Sequence, residues 1–276
     1  MSRDRRLTPA NGRVAALSLQ GQVEAARFVE GWTRLVTPAV VALRDAPNGR
    51  RDRELLRGEA VTVYEDHEGW SFVQAARDGY VGYLPTGALH EGQAPDLRVR
   101  VRSTHAYEKA DIKSPDLVGF SFGSRLRHMG QEGRFILTDA GYVPAAHLAP
   151  VGVVEEDPVT VATLLLGTPY LWGGNSAFGI DCSGLVQAAC LACGLACPGD
   201  SDLQAAGLGA PVTDGSPPRC GDLLFWKGHV AWVSGPETIL HANAHHMAVA
   251  FEGLAEALTR IEAQGGGAVT AHRRPG

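Results

Sequence analysis

Long apolar runs are missing from this chain. No stretch of 18 or more consecutive apolar residues occurs in its 276 positions, so a membrane-spanning helix is excluded on length. An excess of positive charge is missing too: 25 Lys and Arg stand against 30 Asp and Glu, a net charge of −5. That balance offers no broad basic field to nucleic acid or anionic lipid, and the short arginine runs (Arg3, Arg5, Arg6; Arg50, Arg51, Arg53) read as solvated surface. Cysteines are few and unsuited to a disulfide framework, being five in number with four crowded between Cys182 and Cys197. The opening MSRDRRLTPANGRVAALSLQGQ is basic but lacks the apolar core and small-residue cleavage site of an export signal. These absences predict a cytoplasmic protein without a membrane or nucleic-acid partner.

What is present is an ordinary globular composition, 45% apolar and 20% charged, with length for two or three compact domains. Two stretches resemble each other. LLRGEAVTVYEDHEGWSFVQAARDGYVGYLPTGAL (Leu55 to Leu89) and FSFGSRLRHMGQEGRFILTDAGYVPAAHL (Phe120 to Leu148) share an order of signals: a glycine, an alternating strand, an E-G turn, another strand, then G-Y-V and a final leucine. Gly58, Gly69 and Gly79 are matched by Gly123, Gly133 and Gly141 at offsets of 62 to 65 residues. Period-two apolar patterning and closely spaced turns predict a small β-barrel in each copy. The first barrel is expected over residues 31–91 and the second over 92–150, with EGQAP and APVGVVEEDP as linkers. Residues 1–30 form an arm whose GQVEAARFVEGW piece is helix-compatible, and the arm is expected to pack on a later domain.

From about residue 155 to 276 the pattern changes to helices followed by strands. VTVATLLLG reads as a helix ending at Gly167, DCSGLVQAACLACG as a second ending at Gly194, and DLQAAG as a short third. GDLLFWKG, HVAWVSG, TILHAN, MAVAFEG and AVTAHRR read as strands, with LAEALTRIEAQ helical before the last. The predicted class is α+β, helices packed on an antiparallel sheet.

Cys182 stands at the start of the second helix, where unpaired N–H groups and the positive dipole end favour thiolate. Ionising a thiol at neutral pH needs about 2.7 kcal/mol, whereas a helix end supplies about 0.3–1 kcal/mol, so a base is required. His229 opens the HVAWVSG strand, and His241 lies twelve residues further on in TILHAN. A hairpin of this length can bring both rings to one face, giving nucleophile, base and orienter. The expected resting state is a thiolate beside an imidazole.

The run GTPYLWGGNSAFGIDCSGLVQ, followed by GDSDLQ, CGDLLFW, GHVAWV and ILHAN, closely resembles the NlpC-type cell-wall cysteine peptidases, a papain-like family, over about residues 155–276. The upstream repeats look like the bacterial SH3-like barrels often attached to such peptidases. The resemblance implies hydrolysis of the γ-D-glutamyl bond to a diamino acid, meso-diaminopimelate or lysine, in peptidoglycan stem peptides. It implies Cys182 as nucleophile, His229 as general base and His241 as orienting residue, with no cofactor. Tyr170 matches a tyrosine near the oxyanion region, and Asp181, Ser183 and Ser201 match residues lining a pocket for the free amino end of L-alanine. A buried ammonium needs such a carboxylate and further acceptors. In barrel-bearing members a tyrosine of the first barrel closes that pocket; Tyr80, with Asp78 beside it and Arg77 next to that, takes the place here. A closed pocket implies trimming of released muropeptides, hence a role in recycling.

Plainer readings compete at several positions. Cys190, Cys193 and Cys197 could suggest a zinc site, but their i, i+3, i+7 spacing among alanines fits helix packing. Cys220 reads as a turn residue. His245 and His246 point to opposite faces if extended and read as loop histidines at the rim. Tyr80 and Tyr142 hold equivalent repeat positions, so each can be barrel packing, the reading adopted for Tyr142. The WGG glycines Gly173 and Gly174 are not followed by G-K-[ST], which leaves nucleotide binding unsupported. Two alternatives of other kinds stay open: an acyltransferase or amidase using the same thiol, and an inactive module that binds wall fragments.

Overall fold

The computed structural model describes residues 3–276. The chain divides into two compact units, residues 1–151 and 152–276, and among the described residues no helix is long and apolar enough to cross a membrane.

In the N-terminal unit, alternating apolar residues build two sheet systems with separate cores. The first is a seven-stranded sheet in the spatial order Arg51–Leu56, Val40–Arg44, Val81–Pro85, Trp70–Ala75, Ala60–His67, Trp32–Val36, Leu89–His90. Val36, Leu43, Leu55, Val61, Val63, Val73 and Leu84 pack inside it. The second has five strands, Asp116–Ser121, Ser103–Tyr107, Gly141–Pro144, Phe135–Thr138 and His128–Glu132, and a three-stranded sheet centred on Leu97–Val99. Its core gathers Val99, Ala106, Phe120, Leu126 and Val143. The strand order of the first sheet recurs in the second, down to a single 3-10 turn after a proline, Thr86–Ala88 in one and Ala145–His147 in the other. The three pairs of matched glycines all take positive φ, from 55° at Gly133 to 117° at Gly141, a region that side chains with a Cβ rarely enter. The two repeats meet at Arg57 and Gly58. Arg125 N–H donates to the Arg57 carbonyl at 2.8 Å, and the Arg57 guanidinium reaches Asp139 at 3.1 Å.

The arm departs from expectation. The GQVEAARFVEGW segment is not helical; it turns and then forms the strand Arg27–Val29, parallel to Val14–Ala16. Tertiary anchors override helix propensity here. Arg13 and Arg27 each hold the buried Glu65 carboxylate at 2.8 Å, and Val14 and Ala16 pack against Tyr64, Phe72 and Val81 of the first sheet.

The C-terminal unit places helices before an antiparallel sheet. Helix α1 (Pro158–Thr163) is capped by Asp157, α2 (Cys182–Ala192) by Asp181, and α3 (Ser201–Gly207) and α4 (Leu254–Ala263) follow. The six strands lie in the order Ala210–Pro211, Ala271–Arg274, Leu223–Trp226, His229–Gly235, Thr238–Asn243, Ala248–Gly253. Helix α2 packs on the His229–Gly235 and Thr238–Asn243 strands, which explains its small, nearly all-buried composition. A Cβ at Gly184 would collide with the Gly174 carbonyl, so the glycine permits the loop before α2 to lie against its first turn. The buried Asp222 ties the sheet's far side together, accepting from Arg274 at 2.6 Å and sitting 2.7 Å from His272.

Cys190 and Cys197 are buried, and the Cys197 thiol together with burial pushes the Cys190 thiol upward. Cys193 caps the C-terminal end of α2, while Cys220 is exposed in a turn.

Candidate active site

The site begins with a two-residue hairpin, Asn175–Ser176 paired with Gly179–Ile180, which delivers the chain to Asp181 in an extended conformation (φ −99°, ψ 179°). Asp181 then caps α2. Its Oδ1 accepts from Gly184 N–H at 2.6 Å and from the Ser183 hydroxyl at 3.0 Å, and its Oδ2 accepts from Gly173 N–H at 2.9 Å. Three donors on one buried carboxylate hold the start of the helix in place, with one Oδ2 lone pair left over. Gln204 locks the same turn from α3, donating to the Ser183 carbonyl at 2.9 Å. Ser201 opens that helix and is half-buried.

Cys182, the first residue of α2, is buried. The backbone N–H groups of Val230, Ser183 and Cys182 itself point at its sulfur and favour thiolate, but burial and the Asp181 carboxylate outweigh them and push the thiol up to about 12. The expected standing thiolate is therefore not what this environment supports. Desolvation penalises the anion by more than the backbone dipoles return. The Val230 contact brings the backbone at the start of the His229–Gly235 strand to the sulfur.

Strand pairing brings the two imidazoles together. Trp232 is opposite Leu240 and Val233 opposite Ile239, so His229 and His241 meet on one face, His229 Nε2 lying 2.8 Å from His241 Nδ1. Burial, then the neighbouring His241 and Arg260, push His229 down to about 3. Burial likewise takes His241 down to about 4, against the opposing pull of Glu252. Both rings rest neutral. Trp226 lies across His229 at 5.7 Å between ring centroids.

Two residues in this chain of contacts went unread in the sequence. Glu252 Oε2 is 2.9 Å from His241 Nε2, and Arg260 on α4 grips the same carboxylate, Nε to Oε1 at 2.8 Å and one terminal nitrogen to Oε2 at 2.7 Å. The arginine outweighs burial and holds Glu252 down at about 2. A signal existed: the tight connection from Asn243 to Ala248 fixes the register, with Ile239 opposite Glu252 and His241 opposite Ala250. Residues opposite one another share a face, and so do residues two apart on one strand, which puts Glu252 on the face of His241.

Tyr170 is tethered through its N–H to the Met247 carbonyl at 2.9 Å. Its hydroxyl is pushed up by burial and by the nearby Cys182 and Asp181, so it stays protonated as a donor. A cavity of about 230 Å³ opens beside His229, lined by Tyr170, Trp226, Lys227, His245 and Arg260 among others. His245 and His246 occupy the exposed turn after His241, their rings 4.8 Å apart. His241, His246 and Glu252 could present ligand atoms to a metal ion within 4.8 Å of one another. Both nitrogens of His241 already have partners and Glu252 is held by Arg260, so a cation there would have to break this chain of hydrogen bonds.

Tyr80 and Asp78 belong to the N-terminal unit. Tyr80 is 3% exposed and packs in the core of the first sheet, beneath the Arg53 guanidinium. Asp78 accepts from Tyr80 N–H at 3.0 Å and pairs with Arg77 at 3.5 Å. Arg77 is itself bound to Glu59 at 2.8 Å. The tyrosine expected to close a substrate pocket is thus a core residue of its sheet. Tyr142, read as packing, is only half-buried, its hydroxyl 3.3 Å from Glu132.

Similarity to known proteins agrees with this geometry. Residues 167–260 match the NlpC/P60 family, and residues 43–89 match the bacterial dipeptidyl-peptidase Sh3 domain. A γ-D-glutamyl-L-lysine dipeptidyl-peptidase from Bacillus subtilis (strain 168) is 38% identical over 216 residues, covering 68% of this chain and 71% of the relative. The protein of that name from Bacillus cereus is 35% identical over 226 residues, covering 69% and 67%. A crystal structure of an NlpC/P60 family protein from Bacillus cereus superposes with a TM-score of 0.74 at 20% identity, over 88% of this chain and 99% of that one.

Proposed function

The chain belongs to the NlpC/P60 family and is a hydrolase of the cysteine-peptidase type, and within that class we propose that it cuts the γ-D-glutamyl–diamino acid bond of peptidoglycan stem peptides bearing a free N-terminal L-alanine. The carrying observation is a buried thiol at the head of α2, a helix that packs on the two strands carrying a hydrogen-bonded imidazole pair. The names borne by the Bacillus relatives support the choice of bond. We read the second repeat, like the first, as an SH3-like domain, because the same strand order recurs in it.

The chemistry follows from the neutral resting state. As the Cys182 sulfur attacks the γ-carbonyl carbon, its proton passes to His229, so charge separates only during attack. Backbone N–H groups at the head of α2 and the protonated Tyr170 hydroxyl supply donors for the developing oxyanion. The carbon–nitrogen bond then breaks and His229 returns the proton to the leaving amine. Water, deprotonated by His229, cleaves the thioester and regenerates the thiol. Proton return to the amine puts the leaving diamino acid on the His229 side, where the cavity lies. The acyl half then lies toward Asp181, whose unused Oδ2 lone pair suits the free ammonium. A requirement for that ammonium restricts the enzyme to released peptides, as in muropeptide recycling.

The test is mass spectrometry of products from L-Ala-γ-D-Glu-meso-diaminopimelate and its L-lysine counterpart. The expected products are L-Ala-D-Glu and the free diamino acid. Cys182→Ala is expected to abolish cleavage while keeping the wild-type melting temperature; cleavage by that variant at the wild-type rate would overturn the proposal.

A further inference from the structure

The row of contacts behind the thiol has a direction. It starts at Arg260, which holds Glu252 as a carboxylate through two hydrogen bonds of 2.8 and 2.7 Å. A carboxylate can only accept, so the nitrogen facing it across 2.9 Å, His241 Nε2, must carry a hydrogen. His241 is neutral, being kept well below the usual imidazole range by burial, and a neutral ring has only one N–H. Its Nδ1 is therefore a lone pair, and His229 Nε2, 2.8 Å away, must be the donor. The same rule then applies to His229, which burial also keeps neutral: with its hydrogen on Nε2, only Nδ1 is free to accept.

We infer that Glu252 and Arg260 are positioning residues that set the polarity of the imidazole pair, leaving His229 Nδ1 as the nitrogen that takes the thiol's proton. Two neutral histidines alone could hydrogen-bond in either sense, and in the reversed sense His229 would present an N–H to the sulfur and could not act as base. The acid–base pair behind His241 removes that choice. It also places a negative charge where positive charge develops in the transition state, one ring removed from the reaction. The charged or titratable groups that act on the two rings are Glu252 from the adjoining strand, Arg260 from α4 and His246 from the turn. Of these, only Glu252 both faces His241 Nε2 and is obliged to accept.

The inference concerns the relay and not the identity of the peptide, so its first test needs no substrate. Histidine ring 15N labelling of the whole chain, with signals assigned through His229→Gln and His241→Gln, is expected to show both rings protonated at Nε2 near pH 7. A proton on Nδ1 of either ring would overturn the inference. The second test compares Glu252→Gln and Glu252→Asp on the γ-D-glutamyl tripeptide. The amide can donate as well as accept, so Glu252→Gln is expected to lower kcat at least tenfold with KM within about twofold, and to mix the two tautomers. Glu252→Asp is expected to recover part of kcat and the single tautomer. Unchanged kcat and an unchanged ring signature in Glu252→Gln would refute the assignment. If that variant fails to fold, the wild-type ring signature decides alone. A wild type that leaves the tripeptide intact counts against the substrate reading, while the ring signature still decides the polarity.

Discussion

Asp181 accepts a 2.6 Å hydrogen bond from the backbone of Gly184, so the residue just before Cys182 caps the helix that Cys182 opens. Geometry and charge can be separated at this position. Asp181→Ala removes the cap and is expected to cost about 1–2 kcal/mol of stability. Asp181→Asn keeps an acceptor but loses the charge that helps raise the Cys182 thiol. The asparagine variant keeps the helix cap but turns an NH2 toward Gly173 N–H, so it should be less stable than the wild type by about 1–3 kcal/mol while its Cys182 ionises at lower pH. Peptide-resolved alkylation against pH measures this, and an unchanged or higher ionisation pH would contradict the electrostatic reading.

The buried imidazoles make stability depend on pH. His229 and His241 are depressed to about 3 and about 4 in the folded chain, against about 6.5 when unfolded. Above pH 6.5 both states leave them neutral and the contribution is whole. As pH falls from 6.5 toward 3, the unfolded chain binds up to two protons that the folded chain refuses, so stability declines. Denaturant titrations at pH 7, 5.5 and 4.5 should show a falling midpoint, and replacing both histidines with glutamine should flatten the slope over that range. An equal slope in the double variant would contradict this account.

The proposed recognition of an ammonium by the remaining Asp181 lone pair would make the substrate's amino end decisive. Acetylating L-Ala-γ-D-Glu-meso-diaminopimelate removes the positive charge and leaves a buried carboxylate facing a neutral amide. kcat/KM is expected to fall by more than a hundredfold, measured by liquid chromatography of both peptides under the same conditions. Equal rates would remove the amine pocket and leave the bond assignment untouched.

Lys227 is exposed at the edge of the cavity on the His229 side, where a leaving diamino acid would present carboxylates. Lys227→Glu should weaken kcat/KM for the diaminopimelate peptide about fivefold, in line with the ~1 kcal/mol typical of a half-exposed ion pair. The loss for the lysine peptide should be smaller, because its side chain ends in an ammonium. Parallel losses for both peptides would argue that the cavity does not read the leaving side chain.

Much of the C-terminal unit was legible because local signals and the fold agree. Gly194, at positive φ, follows the end of α2, whereas α1 closes at Thr163 and the chain reaches Gly167 through turns; the strands from Leu223 onward fall where alternation puts them. His229 and His241 were paired from spacing alone. The arm misled because GQVEAARFVEGW satisfies helix propensity, whereas the conformation is decided by Glu65, some 40 residues away, drawing in Arg13 and Arg27. The state of the sulfur misled for a similar reason: a helix start announces itself in sequence, but the depth of burial that opposes charge does not. Glu252 and Arg260 were missed because they lie on a strand and a helix that looked like ordinary amphipathic surface, and only the register between strands brings them to His241.

The contact of Arg57 and Gly58 with the second repeat bears on how the N-terminal unit can be cut. Gly58 stands so close to the Arg125 backbone that any side chain there would collide with it, and the Arg57 guanidinium lies over the Phe120 ring. A chain severed near residue 92 would leave the first half with a guanidinium that keeps the Thr37 carbonyl but loses Asp139 and Phe120, and the second with an uncovered aromatic ring and an unmatched amide. Modular swapping at that boundary therefore has no clean seam, and the two halves should melt in a single calorimetric transition.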